Sequence, residues 1–209
     1  MSASSHSRLS NFFFIFGSLF LFLGLILAAK IYVPLLFQEI RYDLTQSLPV
    51  TTTAVSESPK EVAPPDPNFS IWIPKISALA PVVPDVDPYD SKIYQQRLTK
   101  GVAHAKGSAY PGTSGSTFLF AHSAGNPLEA SQFNAVFYLL SKLQPGDEIF
   151  LWYFGAKYSY RVTEKRLVSP SAVDYLSGSD SSSLILMTCW PPGTTLKRYL
   201  VFAESQTLP

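Results

Sequence analysis

The sequence contains a single cysteine, Cys189, among 209 residues. One thiol cannot form an internal disulfide, so it is either an inert buried side chain or a nucleophile. Histidine is also scarce, with three residues, and no cysteine or histidine pair has the spacing of a zinc site. No glycine-rich phosphate loop opens a helix. The sequence therefore predicts no bound cofactor and no metal site, although the scattered acidic residues leave calcium dependence open.

Charged residues make up only 15% of the chain, and the formal net charge is +1. No basic tract or stripe stands out, which argues against nucleic acid as a partner. The hydrophobic fraction is 46%, enough for a well-filled core. The 17 prolines and the many β-branched and aromatic residues favour an all-β domain. Short strands at close spacing indicate a barrel or a sandwich.

The N-terminal part has no charged residue between Leu9 and Ala29. A helix needs about 20 apolar residues to cross a bilayer, so this run predicts an uncleaved membrane anchor. The alternative is a cleaved signal peptide, but its apolar region is normally shorter, and Ala28-Ala29-Lys30 is a poor cleavage site. The predicted organisation is a tail at 1–10, a transmembrane anchor at 11–33, a juxtamembrane helix and Pro/Ser/Thr-rich linker at 34–68, and a folded domain at 69–209.

Within that domain the pattern predicts short elements. Prolines interrupt two strands at 71–76 and 80–83, which places them at an edge. Short helices are predicted at 91–98 and 133–140. A hairpin is predicted between alternating strands at 148–153 and 157–164.

The most informative stretch is an apolar run that carries the cysteine. Leu184–Trp190 predicts a buried strand, Pro191–Gly193 a tight turn, and a second strand returns from Lys197. Cys189 then lies at a rim of the domain, with Arg198 at the same end. A thiol beside a fixed positive charge is what nucleophilic acyl transfer needs. Arg198 is preferred over its neighbour Lys197 because the guanidinium offers paired donors for an oxyanion.

Two histidines compete as the acid–base partner of Cys189. His122 directly follows the predicted strand Ser116–Ala121 and precedes a loop, as Cys189 ends its own strand. If both strands belong to one sheet, the two side chains meet at one rim. His104 lies close to the Gly/Ser-rich loop at 107–115, without so strong a strand. We therefore prefer His122 as general base or acid, with His104 as the alternative.

These residues resemble the sortase family over the whole predicted domain. Thr188-Cys189 follows Leu184-Ile185-Leu186, and Arg198 lies nine positions beyond the cysteine, which is similar to the Leu-x-Thr-Cys…Arg signature of that family. Gly101–His104 and Ala121-His122-Ser123 resemble the stretch that leads to its catalytic histidine. The family usually has glycine where this chain has Ala121.

The resemblance implies a closed eight-stranded β-barrel with short helices, working as a membrane-anchored transpeptidase outside the cell. It implies Cys189 as nucleophile on the Thr–Gly bond of a Leu-Pro-x-Thr-Gly-like sorting signal, His122 as acid–base, and Arg198 as the group that stabilises the oxyanion. It implies that Thr188 contributes to substrate contact or to the oxyanion hole, and His104 is also predicted to contact substrate. The acyl-enzyme thioester is then resolved by an amine of a cell-wall precursor or a pilin lysine.

Two other functions fit the same residues. One is a thiol peptidase that hydrolyses its substrate, and the other is a catalytically inactive, tethered barrel that binds peptides. The cell-wall L,D-transpeptidases fit less well, because their Ser-His-Gly-Cys run is absent. Pilin-type sortases carry a lid with Asp-Pro and an aromatic residue. Here Asp66-Pro67 is followed by Asn68 and then by the aromatic Phe69, which comes one position later than in the lid pattern. The sequence therefore leaves open whether this chain has a lid.

Overall fold

The computed structural model of the protein describes residues 4–47, 62–123, 135–171 and 182–206. The chain divides into two units, Met1–Leu48 and Pro49–Pro209. The first unit contains one long helix, α1 (Ser4–Ser47). Within the residues that the structure describes, no helix is both long enough and apolar enough to cross a membrane, so the transmembrane anchor predicted at 11–33 is not shown.

The second unit contains a closed barrel of eight strands in the order β1-β2-β3-β4-β7-β8-β6-β5. The β2–β3 and β4–β7 pairs are parallel, and the other neighbours are antiparallel. This confirms the predicted eight-stranded barrel. The strands are β1 (Phe69–Ile73), β2 (Ala78–Val86), β3 (Val102–Ala105), β4 (Ser116–Phe120), β5 (Glu148–Tyr153), β6 (Ala156–Val168), β7 (Ser183–Trp190) and β8 (Lys197–Ser205).

Alternate residues of each strand face opposite sides of the barrel wall. In β7, Leu184 and Leu186 are fully buried on the inner side. Ile185 points outward and joins an apolar cluster beneath helix α2 (Ser91–Leu98). Each fully buried aliphatic side chain of this kind contributes about 1.5–3 kcal/mol of hydrophobic stabilisation. The outer cluster contains Val86, Leu98, Ala103, Ala105, Phe118, Phe120, Ile185 and Leu200.

Helix α2 has the predicted bounds, and its N-terminus is capped by Asp90. The Asp90 carboxylate accepts the backbone N–H groups of Lys92 and Ile93, which would otherwise lack partners. The helix predicted at 133–140 is wrong over its described part: residues 135–139 form turns, followed by a 3-10 turn at Leu140–Lys142. Strand β3 was not predicted, because it has only four residues and directly follows Gly101.

The chain enters the barrel at the end where β5 turns into β6. Ser70 Oγ accepts from Asp66 N–H at 3.0 Å and donates to the Asp66 carbonyl at 2.7 Å. The Phe154 and Gly155 amides of the turn donate to the Asn68 and Pro67 carbonyls, both at 3.0 Å. The opposite end of β6 is the one that pairs with the start of β8. Asp66-Pro67 therefore lies at the far end of the barrel from Cys189 and does not cover it.

Candidate active site

Strand β7 lies between β4 and β8, and the pairing of these strands sets the site. Cys189 of β7 is the direct antiparallel partner of Arg198 of β8. On the other side, the last parallel pair of β4 and β7 is Phe120 with Met187. His122 stands two residues beyond Phe120, and Cys189 stands two residues beyond Met187. Since side chains alternate along strands, the register brings His122, Cys189 and Arg198 to one level on the outer face.

Cys189 is a free, partly exposed thiol near the end of β7. The residues before it anchor the strand, since Leu184 and Leu186 are fully buried inside the barrel. The strand ends at Trp190, and the connection to β8 begins at Pro191. A well-anchored strand therefore carries the thiol to the rim of the barrel, where a substrate can reach it.

The backbone around His122 is held from three directions. The Ala121 N–H donates to the Met187 carbonyl at 3.2 Å, and the Phe137 N–H donates to the His122 carbonyl at 3.3 Å. The Thr188 hydroxyl donates to the Ala121 carbonyl at 2.9 Å. Phe137 is itself fully buried. The histidine ring is partly exposed, so a fixed backbone presents an accessible imidazole beside the thiol strand.

Thr188 lies on the inner side of β7, next to the cysteine but facing away from it. Its side chain is only 3% exposed, and its hydroxyl is engaged by the Ala121 carbonyl. The geometry therefore does not support the predicted substrate contact. The contact that the structure shows is one that fastens β7 to the residue before His122. The alternation of Leu184, Leu186 and Thr188 on one face is the sequence signal for this placement.

Arg198 is partly exposed, and its side chain folds over the β7–β8 connection. One guanidinium nitrogen, Nη1, donates to the carbonyls of Thr195 and Lys197, each at 3.3 Å. A guanidinium carries several further N–H donors, which can serve an oxyanion. Lys197 is exposed and pairs with Trp190, on the other face of the strand. Of the two neighbouring cations, Arg198 is the one on the Cys189 face.

His104 does not belong to this group. Its partner in β4 is Leu119, an inner residue, so the ring points into the barrel and not towards the Cys189 face. The ring is fully buried. Burial lowers the pKa of His104, against the opposing effects of the Ala109 carbonyl and the Asp85 carboxylate. The predicted substrate contact of His104 is not supported by this placement, and His122 is the histidine at the level of the thiol.

The outer face next to Cys189 is apolar. Met187 and Val168 are partly buried and pack against the outer cluster, together with Tyr94 of α2. The Tyr94 ring meets Phe120 edge-on at 6.2 Å between ring centroids. Sequence reasoning did not assign these residues, although the period-two pattern of β7 places Met187 on the cysteine face. In the described ranges, no group of three or more His, Cys, Asp or Glu side chains is arranged to hold a metal ion.

Comparisons with known proteins agree with this geometry. A family model described as Sortase domain matches residues 71–206. Sortase D of Bacillus subtilis (strain 168) is 29% identical over 139 residues, which are 65% of this chain and 62%, less than two thirds, of that protein.

Solved structures give the same result. A sortase D5 transpeptidase of Clostridium perfringens is 25% identical, with 70% of this chain and 83% of that chain covered and a TM-score of 0.55. Sortase C-1 of Actinomyces oris is 28% identical, with 68% and 76% covered and a TM-score of 0.57. Because the family match extends from β1 to β8, the chain belongs to the sortase family, whose members are typically transpeptidases.

Proposed function

We propose that this chain is a cysteine transpeptidase that cleaves a C-terminal sorting signal and joins the acyl part to an amine. The observation that carries the proposal is the strand register, which pairs Cys189 of β7 with Arg198 of β8 and brings it level with His122, two residues beyond the end of β4. A thiol with an imidazole on one side and a guanidinium on the other has its acid–base group and its oxyanion donor in place.

In the proposed first step, the Cys189 thiol passes its proton to His122, and the sulfur attacks the threonine carbonyl carbon of a Leu-Pro-x-Thr-Gly-like signal. The carbonyl oxygen becomes an oxyanion, for which Arg198 supplies N–H donors. The C–N bond to glycine then breaks, and protonated His122 gives its proton to the leaving amine. The product is a thioester between Cys189 and the threonine carbonyl.

In the second step, an amine attacks the thioester carbonyl and loses its proton to neutral His122. The C–S bond breaks, a new peptide bond forms, and His122 returns the proton to the Cys189 sulfur, which restores the thiol. The acceptor is an amine of a cell-wall precursor or a pilin lysine. The apolar surface around Met187, Val168 and Tyr94 supports recognition of the Leu-Pro part of the signal, because it continues directly from the thiol.

Location and organisation complete the proposal. Sortases generally work at the cell surface. The charge-free run from Leu9 to Ala29 supports an anchor at 11–33 in the cell membrane, with a catalytic domain at 69–209 outside it. A protease-protection assay on intact cells tests this placement, since an outside domain is digested without lysis. Full protection until lysis would contradict it.

Product analysis tests the proposed reaction. The full chain is incubated with a small library of Leu-Pro-x-Thr-Gly-like peptides, with and without an added amine such as triglycine. We expect a ligated peptide when the amine is present, and none with Cys189→Ala. Free acid as the only product, even at high amine concentration, would assign a hydrolase. Peptide binding without any cleavage, unchanged by Cys189→Ala, would assign a binding module.

A further inference from the structure

A second polar cluster lies towards the end of the barrel opposite the thiol. Its centre is His104 of β3, which is 0% exposed. The imidazole stacks on Tyr110 at 4.4 Å between ring centroids and lies 5.8 Å from the Phe69 ring. Phe69 begins β1, at the end where the chain enters the barrel. The reaction proposed above uses none of these residues.

Both ring nitrogens of His104 have partners that fix its protonation. Nε2 lies 2.9 Å from Ser108 Oγ and 3.1 Å from the Ala109 carbonyl oxygen. The Asp85 backbone N–H donates to Nδ1 at 3.4 Å. A backbone N–H can only donate and a carbonyl can only accept, so these partners require a neutral ring with its proton on Nε2.

The ring replaces a missing ladder hydrogen bond. The pairing of β2 with β3 shifts register between Val83 and Val86, and Asp85 in this bulge has a left-handed φ of 53°. A bulge leaves a backbone amide without its strand partner. Nδ1 of His104 is the acceptor for that amide.

On the other side, the ring is joined to β4 through Ser108. The Ser108 hydroxyl donates to the Ala105 carbonyl at 2.8 Å and accepts from the Phe118 N–H at 3.2 Å. Phe118 belongs to β4, the strand that leads to His122. His104 therefore connects the bulge in β2 with the strand that leads to the proposed acid–base residue.

The order Asp85, His104, Ser108 is that of an acid–base–nucleophile triad, but the cluster cannot act as one. The imidazole is completely buried, and the Ser108 hydroxyl proton is engaged by the Ala105 carbonyl. A nucleophilic serine needs an accessible oxygen whose proton passes to the base. The cluster is therefore a structural network with a titratable imidazole at its centre.

We propose that His104 is an acid-sensitive lock: its neutral ring joins the β2 bulge to β4, and its protonation breaks that join. A protonated ring carries a donor on Nδ1 and can no longer accept the Asp85 amide. The Asp85 carboxylate oxygen lies 3.8 Å from Nδ1, on a side chain that is 60% exposed. The carboxylate can approach the imidazolium when the bulge rearranges. Protonated His104 would then pair with the Asp85 carboxylate in place of the Asp85 amide.

The surroundings of the ring set the direction of the pH effect. Among the described residues, the titratable groups that contact His104 are Asp85 of β2 and Tyr110 of the β3–β4 connection, and Phe69 of β1 contributes an apolar wall. Tyr153 of β5 stacks on Tyr110. Burial and a hydrogen bond with Asp85 raise the pKa of Tyr110 to about 12, so this tyrosine stays neutral.

Burial keeps the pKa of His104 below its ordinary value of 6.5. The unfolded chain therefore takes up this proton at a higher pH than the folded chain does. The stabilisation is fully present above pH 6.5 and is lost as the pH falls towards the pKa of the folded state.

Nitrogen NMR of the histidine side chains in the full chain tests the lock. The chain has only His6, His104 and His122, so single substitutions assign every signal. We expect His104 to carry its proton on Nε2 and to titrate below the ordinary histidine pKa of 6.5. Asp85→Asn should lower the His104 pKa further, because the imidazolium loses its carboxylate. A His104 pKa of 6.5 or above, or a proton on Nδ1, would overturn the proposal.

Urea unfolding between pH 8 and pH 5 gives the second readout. The midpoint of the wild-type chain should fall on acidification, and His104→Gln should flatten this loss, because an amide offers a donor and an acceptor without titrating. His122→Gln is the matched comparison, because it removes the other histidine of the domain, and the lock requires that His104→Gln flatten the loss more than His122→Gln does. An equal loss in wild type and His104→Gln contradicts the lock. If His104→Gln does not fold, the NMR titrations of wild type and Asp85→Asn decide. None of these measurements depends on catalytic activity.

Discussion

The two ends of the barrel use histidine in opposite ways. At the thiol end, His122 is partly exposed, and the described bonds around it hold its backbone. Towards the other end, His104 is fully buried, and both of its ring nitrogens are engaged. The comparison shows that the residue type does not decide the role. An imidazole can exchange protons with a substrate only if its ring is accessible to that substrate.

The difference between the two histidines comes from strand parity. His104 pairs with Leu119, whose side chain points into the barrel, whereas His122 stands two residues beyond Phe120, whose side chain points outward. Neighbouring positions of a strand face opposite sides, so a difference of one residue separates the two environments. The same parity places Cys189 outward and Thr188 inward.

The largest expected effect is that of removing the thiol. Cys189→Ala should abolish both ligation and hydrolysis of sorting peptides, because no thioester can form. The partly exposed site should tolerate the smaller side chain, so the urea midpoint should stay at the wild-type value. Peptide cleavage measured by mass spectrometry checks the first expectation. Residual cleavage above a no-enzyme blank would show that another residue is the nucleophile.

The second prediction compares substitutions of the two histidines in the same kinetic assay. His122→Gln should lower kcat/KM by about 10²–10⁴-fold, the usual contribution of a positioned acid–base group. His104→Gln should lower it by less than about tenfold at neutral pH, because the amide preserves a donor and an acceptor in the buried network. Steady-state kinetics at pH 7.5 checks both. Equal losses of kcat/KM in the two variants would contradict the different roles assigned to His122 and His104.

The third prediction compares the two cations of β8. Arg198→Lys should lower kcat by about 10²–10³-fold, since an ammonium lacks the fork of donors that fits an oxyanion. Lys197→Arg is the matched control, because it changes the neighbouring residue on the other face, and it should leave kcat within about twofold of wild type. The loss of kcat should be larger in Arg198→Lys than in Lys197→Arg. A larger loss in Lys197→Arg would assign the oxyanion role to Lys197.

The last prediction concerns the buried Thr188, whose substitution should affect folding stability and not the reaction. Thr188→Val leaves the Ala121 carbonyl without its donor and should lower the free energy of unfolding by about 1–3 kcal/mol. Thr188→Ser keeps the hydroxyl and should lose less than Thr188→Val. Urea unfolding measures both variants. If Thr188→Ser, which loses only the methyl group, is destabilised as much as Thr188→Val, which loses only the hydroxyl, the hydrogen bond to Ala121 is not the main contribution of this side chain.

Much of this organisation could be predicted from the sequence because local patterns determine it. Asp90 caps α2 at its predicted start, and the alternating strands on either side of Gly155 form the predicted hairpin. Strand β3 escaped prediction because four residues are too few to show a pattern, and its extended backbone is set by its pairing with β2 and β4.

For Cys189, His122 and Arg198, their positions at the ends of predicted strands indicated that they lie at one rim of the domain. The strand register agrees with that grouping. The inward placement of Thr188 and His104 depends on which strands are neighbours and in which register. A motif match carries no such information. Their burial therefore emerges only in the closed barrel, where Thr188 meets Ala121 and His104 meets the bulge at Asp85.

The most direct test of the central claim is rapid-quench intact-mass analysis of the full chain mixed with a sorting peptide. We expect wild type and His104→Gln to accumulate an acyl adduct that maps to Cys189, and His122→Gln to form it at least about 100-fold more slowly. Addition of an amine should remove the adduct as a ligated peptide appears. Adduct formation that is slowed by His104→Gln and not by His122→Gln would contradict the account.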